Sequence, residues 1–301
     1  MNKIKKYIKN PKLILLYLMH MKLFNYIPDK LFLKIKYRLL MGKKLNLLNP
    51  QTFNEKLQWL KLYDRKNIYT TMVDKYEAKK YVADIIGKEY IIPTLGIYDK
   101  FNDINFDELP NQFVIKCTHD SGGISICRNK MDFDIERTRK KINKCLRKNY
   151  YYIGREWPYK NIEPRIIIEK YMEDEKNKSI RDYKFFCFNG EPKIMYISEG
   201  LENHATARMS FYDMDFKLVS CKRRDYKLLE YTPERPKTFE EMKEFAAILS
   251  KNIPHLRVDF YEINVKLYFG ELTFFTCDGM ISFEDEDWNK LLGSYIDIKN
   301  E

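Results

Sequence analysis

The chain has 301 residues, 45% hydrophobic and 32% charged, with 11 Gly and 11 Pro. These proportions suit one large folded unit or two modest lobes and exclude wholesale disorder, collagen-like and low-complexity sequence. The formal charge of +11 raises nucleic-acid binding, but residues 1–44 hold 12 of the 54 basic residues and a single acid, Asp29, so the excess sits in an N-terminal arm and the remainder is neutral; with no reader motif in the arm, no nucleic-acid partner is expected.

In the arm, Asn10 is placed to cap a helix with Pro11 at its first position, where the missing amide proton costs nothing. The apolar run from Leu13 to Met21 is nine residues long and closed by Lys12 and Lys22. A bilayer span needs about 20, and no small-residue cleavage site follows, so neither a membrane span nor a signal peptide is expected. A second basic helix is predicted from Asp29 to about Met41, stopped by Gly42. Lysines mixed with Leu, Ile, Phe and Tyr suit a segment lying on an anionic membrane surface. A solvated basic face of helices packed on the body fits equally well.

Beyond the arm, the capping box Thr52-Phe53-Asn54-Glu55 predicts a helix start, and another helix is predicted over Met72 to Ile86. Phe113 to Thr118 reads as a strand, Asp120-Ser121-Gly122-Gly123 as a loop, and Ile124 to Cys127 as the returning strand. A basic helix follows from Phe133 to Arg147. After Pro164 the chain is strand-rich: Arg165 to Met172, then a hairpin of Tyr183 to Phe188 and Lys193 to Ser198 around Asn189-Gly190. A second hairpin is expected from Met209 to Tyr212 and Lys217 to Cys221. A helix over Thr238 to Asn252 precedes three strands, Leu256 to Tyr261, Val265 to Phe269 and Glu271 to Thr276. The pattern is α+β, with two lobes and a cleft between them.

The six cysteines form no CxxC pair and no metal-ligand spacing with the four histidines; they are expected to be reduced, mostly buried hydrophobes of a cytoplasmic protein. No HExxH, GxSxG, Walker A or GxGxxG motif is present. Four constellations remain. Lys116 beside the loop Ser121-Gly122-Gly123 can pair with phosphates while freed backbone amides close over them; a plain Gly-Gly turn next to a lysine is the alternative. Ile166 to Met172 interrupts an apolar strand with Glu169-Lys170, as a purine-lining segment would, or as a strand leaving its sheet. Asp182 and Lys184 share a strand face, as ribose and phosphate contacts or as an ion pair. Arg257 and Asp259 share another, with Glu271 on a neighbouring strand, where two carboxylates could hold Mg²⁺ together with phosphate oxygens and the arginine could meet a transferring phosphoryl group.

The order Lys116, Ser121-Gly122-Gly123, Glu169-Lys170-Tyr171, Asp182-Tyr183-Lys184, Arg257-Val258-Asp259 and Glu271-Leu272-Thr273 resembles the ATP-grasp fold. Asn49 to Leu60, with its Asn-Pro-Gln-Thr-Phe-Asn-Glu-Lys stretch, Asp74-Lys75-Tyr76 and Phe185 to Gly190 are similar to the TupA-like ATP-grasp family, over roughly residues 45–295. The resemblance implies that Lys116 and Lys184 contact ATP phosphates, Ser121, Gly122 and Gly123 form a lid, and Glu169, Lys170, Tyr171 and Met172 line the adenine. It assigns Asp182 to the ribose, Asp259 and Glu271 to Mg²⁺, and Arg257 to the transferred phosphate. Thr273 stands where many ATP-grasp enzymes carry a metal-binding Asn, and a hydroxyl is a poorer ligand than an amide carbonyl.

Because that family is associated with capsule and cell-wall polysaccharide genes, the resemblance further implies a carboxylate–amine ligase. It would join a uronic acid of a glycan or lipid-linked precursor to an amino acid or amine, with the arm on the inner membrane face. A sugar kinase on the same cleft and a non-catalytic assembly component are the alternatives. The expected division is an arm over 1–44, a helical region over 45–112, a small lobe over 113–172 and a C-terminal lobe over 173–301.

Overall fold

The computed structural model describes residues 11–19, 21–175, 180–200 and 207–298; the predicted cap at Asn10 lies outside them. The arm forms helices α1 (Pro11–Leu18) and α2 (Asp29–Met41). α2 ends at Gly42, φ +72°, whose amide bonds back to the Arg38 carbonyl, a left-handed stop that glycine makes at little cost.

The arm packs on the body, and its only acid is the anchor. Asp29 accepts from Arg65 at 2.8 Å and from the Tyr151 hydroxyl at 2.6 Å. Arg155, only 1% exposed, lies 3.6 Å from the same carboxylate, donates to the Phe24 and Ile27 carbonyls, and stacks over Phe32. Phe32, Leu33 and Tyr37 bury against Leu45, Leu47 and Met280, leaving Lys30, Leu31, Lys34 and Arg38 on the outer face. Among the described residues, no helix is long and apolar enough to cross a membrane.

Thr52 caps α3 (Phe53–Tyr63) with the reciprocal box the sequence predicts. The single helix expected over 72–86 is two, α4 (Ile68–Val73) and α5 (Glu77–Ile86). Asp74 divides them, because its carboxylate accepts the Tyr76 and Glu77 amides at 2.8 and 2.9 Å and so offers the backbone a turn instead of a helix.

Four antiparallel strands make the smaller sheet in the order β1-β4-β2-β3: β1 (Thr94–Tyr98), β2 (Phe113–Cys117), β3 (Ile124–Cys127) and β4 (Ile166–Lys170). β1 was not apparent in the sequence, since Gly96 and flanking turns blur its alternation. α6 (Ile135–Leu146) covers this sheet, packing Ile142 on Phe113, Ile115, Ile166 and Ile168. A short helix, α7 (Tyr151–Gly154), follows.

The larger antiparallel sheet runs β7-β6-β5-β8-β9, from β5 (Asp182–Phe188), β6 (Glu191–Glu199), β7 (Arg208–Tyr212), β8 (Leu256–Ile263) and β9 (Lys266–Thr273). Phe185, Phe186, Val258 and Phe260 form its core with side chains of α3, α5, α8 (Phe239–Leu249) and α9 (Glu286–Ser294). The two strands expected over 265–269 and 271–276 are one. Asn264 and Val265 make the turn with φ of +52° and +62°, and Gly270 is the extra residue of a bulge, since Asp259 pairs with Glu271 and Phe260 with Phe269. A side chain at 270 would come within 2.9 Å of the Asp259 carbonyl. The second half of the predicted 209–221 hairpin forms only an isolated bridge, Tyr212 to Leu218.

Candidate active site

Three neighbouring strands of the larger sheet bring charges into one cross-strand row. Lys184 on β5 faces Asp259 on β8, and Asp259 faces Glu271 on β9. Arg257, two residues before Asp259, shares its face by the period of two. Its Nε and Nη2 grip the two Asp259 oxygens at 2.6 and 2.7 Å, and Nη2 also reaches Glu271 Oε1 at 2.6 Å. Its Nη1 donates to the Tyr196 hydroxyl and to Thr276 Oγ1 at 3.4 and 3.3 Å. Lys184 Nζ lies 2.7 Å from Asp259 Oδ2 and 3.3 Å from Asp182.

These contacts set the protonation states. Burial works against the Lys184 ammonium, yet Asp182 and Asp259 raise its pKa above the ordinary lysine value. Burial likewise opposes ionisation of Glu271, but Arg257, Lys184 and Lys75 outweigh it and hold the carboxyl down at about 2. Asp259, fully buried, is pushed up by burial against the pull of Arg257 and Lys184.

The smaller sheet faces this row with a simpler cluster. Lys116 on β2 reaches Glu169 on β4 at 2.5 Å, and Lys79 of α5 bonds the other Glu169 oxygen. Burial opposes ionisation here too, but Lys116 and then Lys79 keep Glu169 ionised, with a pKa of about 2. Lys116 itself is raised despite burial, by Glu169 first and then by Glu271 and Asp182. Glu271 and Asp182 lie close enough to raise it, so the two clusters are within electrostatic reach of each other.

The glycine loop is tied down beside Lys75, which lies within electrostatic reach of Glu271. Asp120 Oδ1 accepts the Gly123 amide at 2.9 Å, and Lys75 bonds the Asp120 carbonyl. Gly123 is pressed against Cys117, where a side chain would meet Sγ at 2.6 Å, whereas nothing lies within 4 Å of a side chain at Gly122. Ser121 Oγ contacts the Tyr150 hydroxyl at 3.2 Å. The loop histidine, His119, lies buried with Nε2 on the Cys145 carbonyl.

The remaining predicted residues lie nearby but not all in one role. The Glu169 backbone is paired with both β1 and β2, so only its side chain faces the cleft. Lys170 is exposed and its amide bonds the Pro93 carbonyl; Tyr171 and Met172 follow, half-buried, beyond the strand. Among the described residues, Asp182 Oδ1 is buried with no hydrogen-bond partner, an acceptor that a ligand hydroxyl could use. Thr273 Oγ1 donates to Glu271 Oε1 at 3.2 Å, which leaves Thr273 supporting a carboxylate.

The donor set fits a hard divalent cation such as Mg²⁺ in a restricted sense. Glu271 is ionised and its side chain is 44% exposed, so it can take a cation. Both oxygens of Asp259 already serve Arg257 and Lys184. Among the described residues no group of three or more His, Cys, Asp or Glu is arranged around a metal, so phosphate oxygens and water would complete a two-carboxylate site.

Sequence reasoning missed Lys79 and Tyr196. Lys79 left a trace, as a lysine between Ala78 and Val82 on the apolar side of its helix. Of the cysteines, five are buried as expected and Cys277 is exposed. A separate cavity of about 750 Å³ lies beside β7, lined among others by Arg208, Lys222, Arg224 and Lys227.

No curated protein matches the chain. Among solved structures it is similar to the D-alanine–D-alanine ligase from Bacillus anthracis complexed with ATP, at 15% identity and a TM-score of 0.39, covering 68% of this chain and 54% of that one. The D-alanine–D-alanine ligase from Helicobacter pylori aligns at 12% identity with a TM-score of 0.44, covering 81% and 69%. The ATP-grasp ligase PsnB complexed with a phosphomimetic precursor variant, Mg and ADP aligns at 8% with a TM-score of 0.44, covering 80% and 64%. The chain thus spans little more than half the length of the first of these. The family model described as TupA-like ATPgrasp matches residues 55–297, and with the two antiparallel sheets and the cleft clusters in place the chain belongs to that family and has the ATP-grasp fold.

Proposed function

We propose that the protein is an ATP- and Mg²⁺-dependent carboxylate–amine ligase that forms ADP through an acyl phosphate. The observation that carries this reading is the meeting of Lys116 from one sheet with the Lys184–Asp259–Arg257–Glu271 row from the other. Lys116 and Lys184 neutralise the ATP phosphates, Asp182 takes a ribose hydroxyl, Tyr171 and Met172 border the base, and the loop at Ser121 to Gly123 covers the phosphates. Arg257 meets the γ-phosphoryl group as the acceptor carboxylate takes it. Mg²⁺, held by Asp259 and Glu271, would add charge neutralisation on the phosphate oxygens. A carboxylate oxygen leaves poorly until it is phosphorylated; an amine then displaces phosphate and forms the amide.

The substrate we infer is a uronic acid in a capsular or cell-wall glycan precursor, joined to an amino acid or amine. The family's association with polysaccharide genes supports it; the cavity beside β7, which carries Asp225, Glu230 and Glu284 among its basic residues, has Tyr226 within electrostatic reach of Lys184 and is the space nearest to hand for a mixed polar substrate. The exposed Tyr17, Leu23, Tyr26 and Leu31 with Lys30, Lys34 and Arg38 on the arm would hold the enzyme on the anionic inner face of a membrane, near lipid-linked precursors.

Thermal unfolding with and without Mg·ATP tests the nucleotide site. Ligand at 100 times its dissociation constant should stabilise the wild type by about 2.7 kcal/mol, and Lys116→Ala and Glu271→Ala should weaken that shift. ADP release that needs both a uronic acid and an amine supports the ligase; a phosphosugar formed without an amine makes the enzyme a kinase instead.

A further inference from the structure

Between the two sheets runs an aromatic segment, Tyr150 to Tyr159, that holds an acid the nucleotide site does not use. Glu156 is 5% exposed, yet among the described residues its carboxyl has neither a hydrogen bond nor an ion pair. A buried carboxyl without a partner is costly, and a cleft that keeps one has room for a partner from outside.

Every charged neighbour of Glu156 is already engaged. Lys61 bonds the Asp278 carboxylate and, at 2.8 Å each, the carbonyls of Gly154 and Asp278. Lys36 of α2 lies 2.5 Å from Asp278 Oδ2 and 2.7 Å from the Ile153 carbonyl. Arg257 belongs to Asp259 and Glu271. The Tyr150 and Tyr159 rings pack 5.0 Å apart, and both lie within electrostatic reach of Glu156 and of Glu271. Gly154 carries no side chain because one would lie 1.9 Å from Asp278 Oδ1. Asp278 in turn is held, with Cys277, in the left-handed region at φ of +58° and +52°, a strained arrangement that Gln58 and Lys61 secure through the Asp278 carbonyl. Acid, tyrosines and anchored Asp278 together form a polar cluster within electrostatic reach of Arg257.

We propose that Glu156 is the acceptor-side carboxylate: it binds the attacking amine as an ammonium and takes one of its protons. The assignment rests on the ligase reading above. As the amine nitrogen bonds to the acyl carbon, the carbon–oxygen bond to phosphate breaks and its electron pair leaves with the phosphate. Of the two protons lost from the ammonium, one passes to Glu156 and the other to the departing phosphate; Glu156 returns its proton to water after product release.

The groups that face Glu156 are Asp278, Lys61, Lys36, Arg257, Tyr150 and Tyr159. Burial, then Asp278, raise its pKa to about 8 against the pull of Lys61, Lys36 and Arg257. An ammonium that prefers the ionised carboxylate tenfold lowers that midpoint by about one unit.

The experiment is a pH titration of the full chain with ¹³C-labelled glutamate carboxyls, wild type against Glu156→Gln, with Mg·ATP thermal shifts recorded on both. The expected result is one carboxyl titrating near 8, missing in the variant, whose midpoint falls with ethanolamine but not with KCl at equal ionic strength. A Glu156 signal in the ordinary carboxylate range, or one that ethanolamine moves no more than KCl does, overturns the proposal. If ethanolamine acts as expected but Mg·ATP gives no shift, the amine site stands and the nucleotide reading falls.

Discussion

In the smaller sheet one carboxylate, Glu169, sits between two lysines, whereas in the larger sheet three carboxylates, Asp182, Asp259 and Glu271, share one lysine and one arginine. The first wall of the cleft therefore carries surplus positive charge and the second surplus negative charge. A polyphosphate with its cation needs that division: anionic oxygens against one wall, the metal against the other. The walls also differ in wiring. Glu169 keeps a second lysine if one is lost, while Asp259 is the one carboxylate of its row that binds both Arg257 and Lys184, at the centre of a buried network.

That contrast is broken most directly at Asp259. Asp259→Ala takes from Arg257 and Lys184 the fully buried carboxylate they share, leaving them only Glu271 and Asp182, and should cost about 3 kcal/mol in urea unfolding; a loss under about 1 kcal/mol would show that the row is not a coupled network. Next in size is the acid limb. Glu169 titrates near 2 in the folded protein against an ordinary 4.5, so the folded state binds fewer protons. Its stabilisation is complete above about 4.5 and disappears as pH falls through about 2, worth about 3 kcal/mol. Glu169→Gln should flatten that limb of a stability–pH curve. Glu271 acts in the same direction but is 44% exposed, so solvent screening leaves it a smaller share.

Within the loop, Gly123→Ala must displace Cys117 and should cost about 1–3 kcal/mol. Gly122→Ala meets nothing and should stay within about 0.5 kcal/mol; equal losses would mean that the loop's two glycines do the same job. Lys116→Met should cost about 1 kcal/mol, because Lys79 still holds Glu169. A loss as large as that at Asp259 would erase the difference between the walls.

Much of this site was legible because strand alternation is a short-range rule. Residues two apart share a face, so Arg257 with Asp259 and Asp182 with Lys184 could be paired before any fold was known. Local chemistry was equally plain at the Thr52 capping box, at the Gly42 stop, and at the Asn189-Gly190 turn. Other marks were visible but ambiguous. Gly270 reads as a turn and is a bulge, and only pairing with Asp259 distinguishes them. Asp74 sits inside a helical pattern, and only its bonds to two amides show that it divides the helix.

What the sequence by itself determined was the arm's charge, the period of the strands, the residue types of the cleft and their order along the chain, because each depends on neighbours within a turn or a strand. Only the tertiary structure decided which distant charges meet. Lys79 on a helix reaches Glu169, Asp29 in the arm finds Arg65 and Tyr151, Lys36 crosses to Asp278, and among the described residues the Glu156 carboxyl has no partner. Coulomb energy depends on distance and burial, and both are properties of packing rather than of sequence separation.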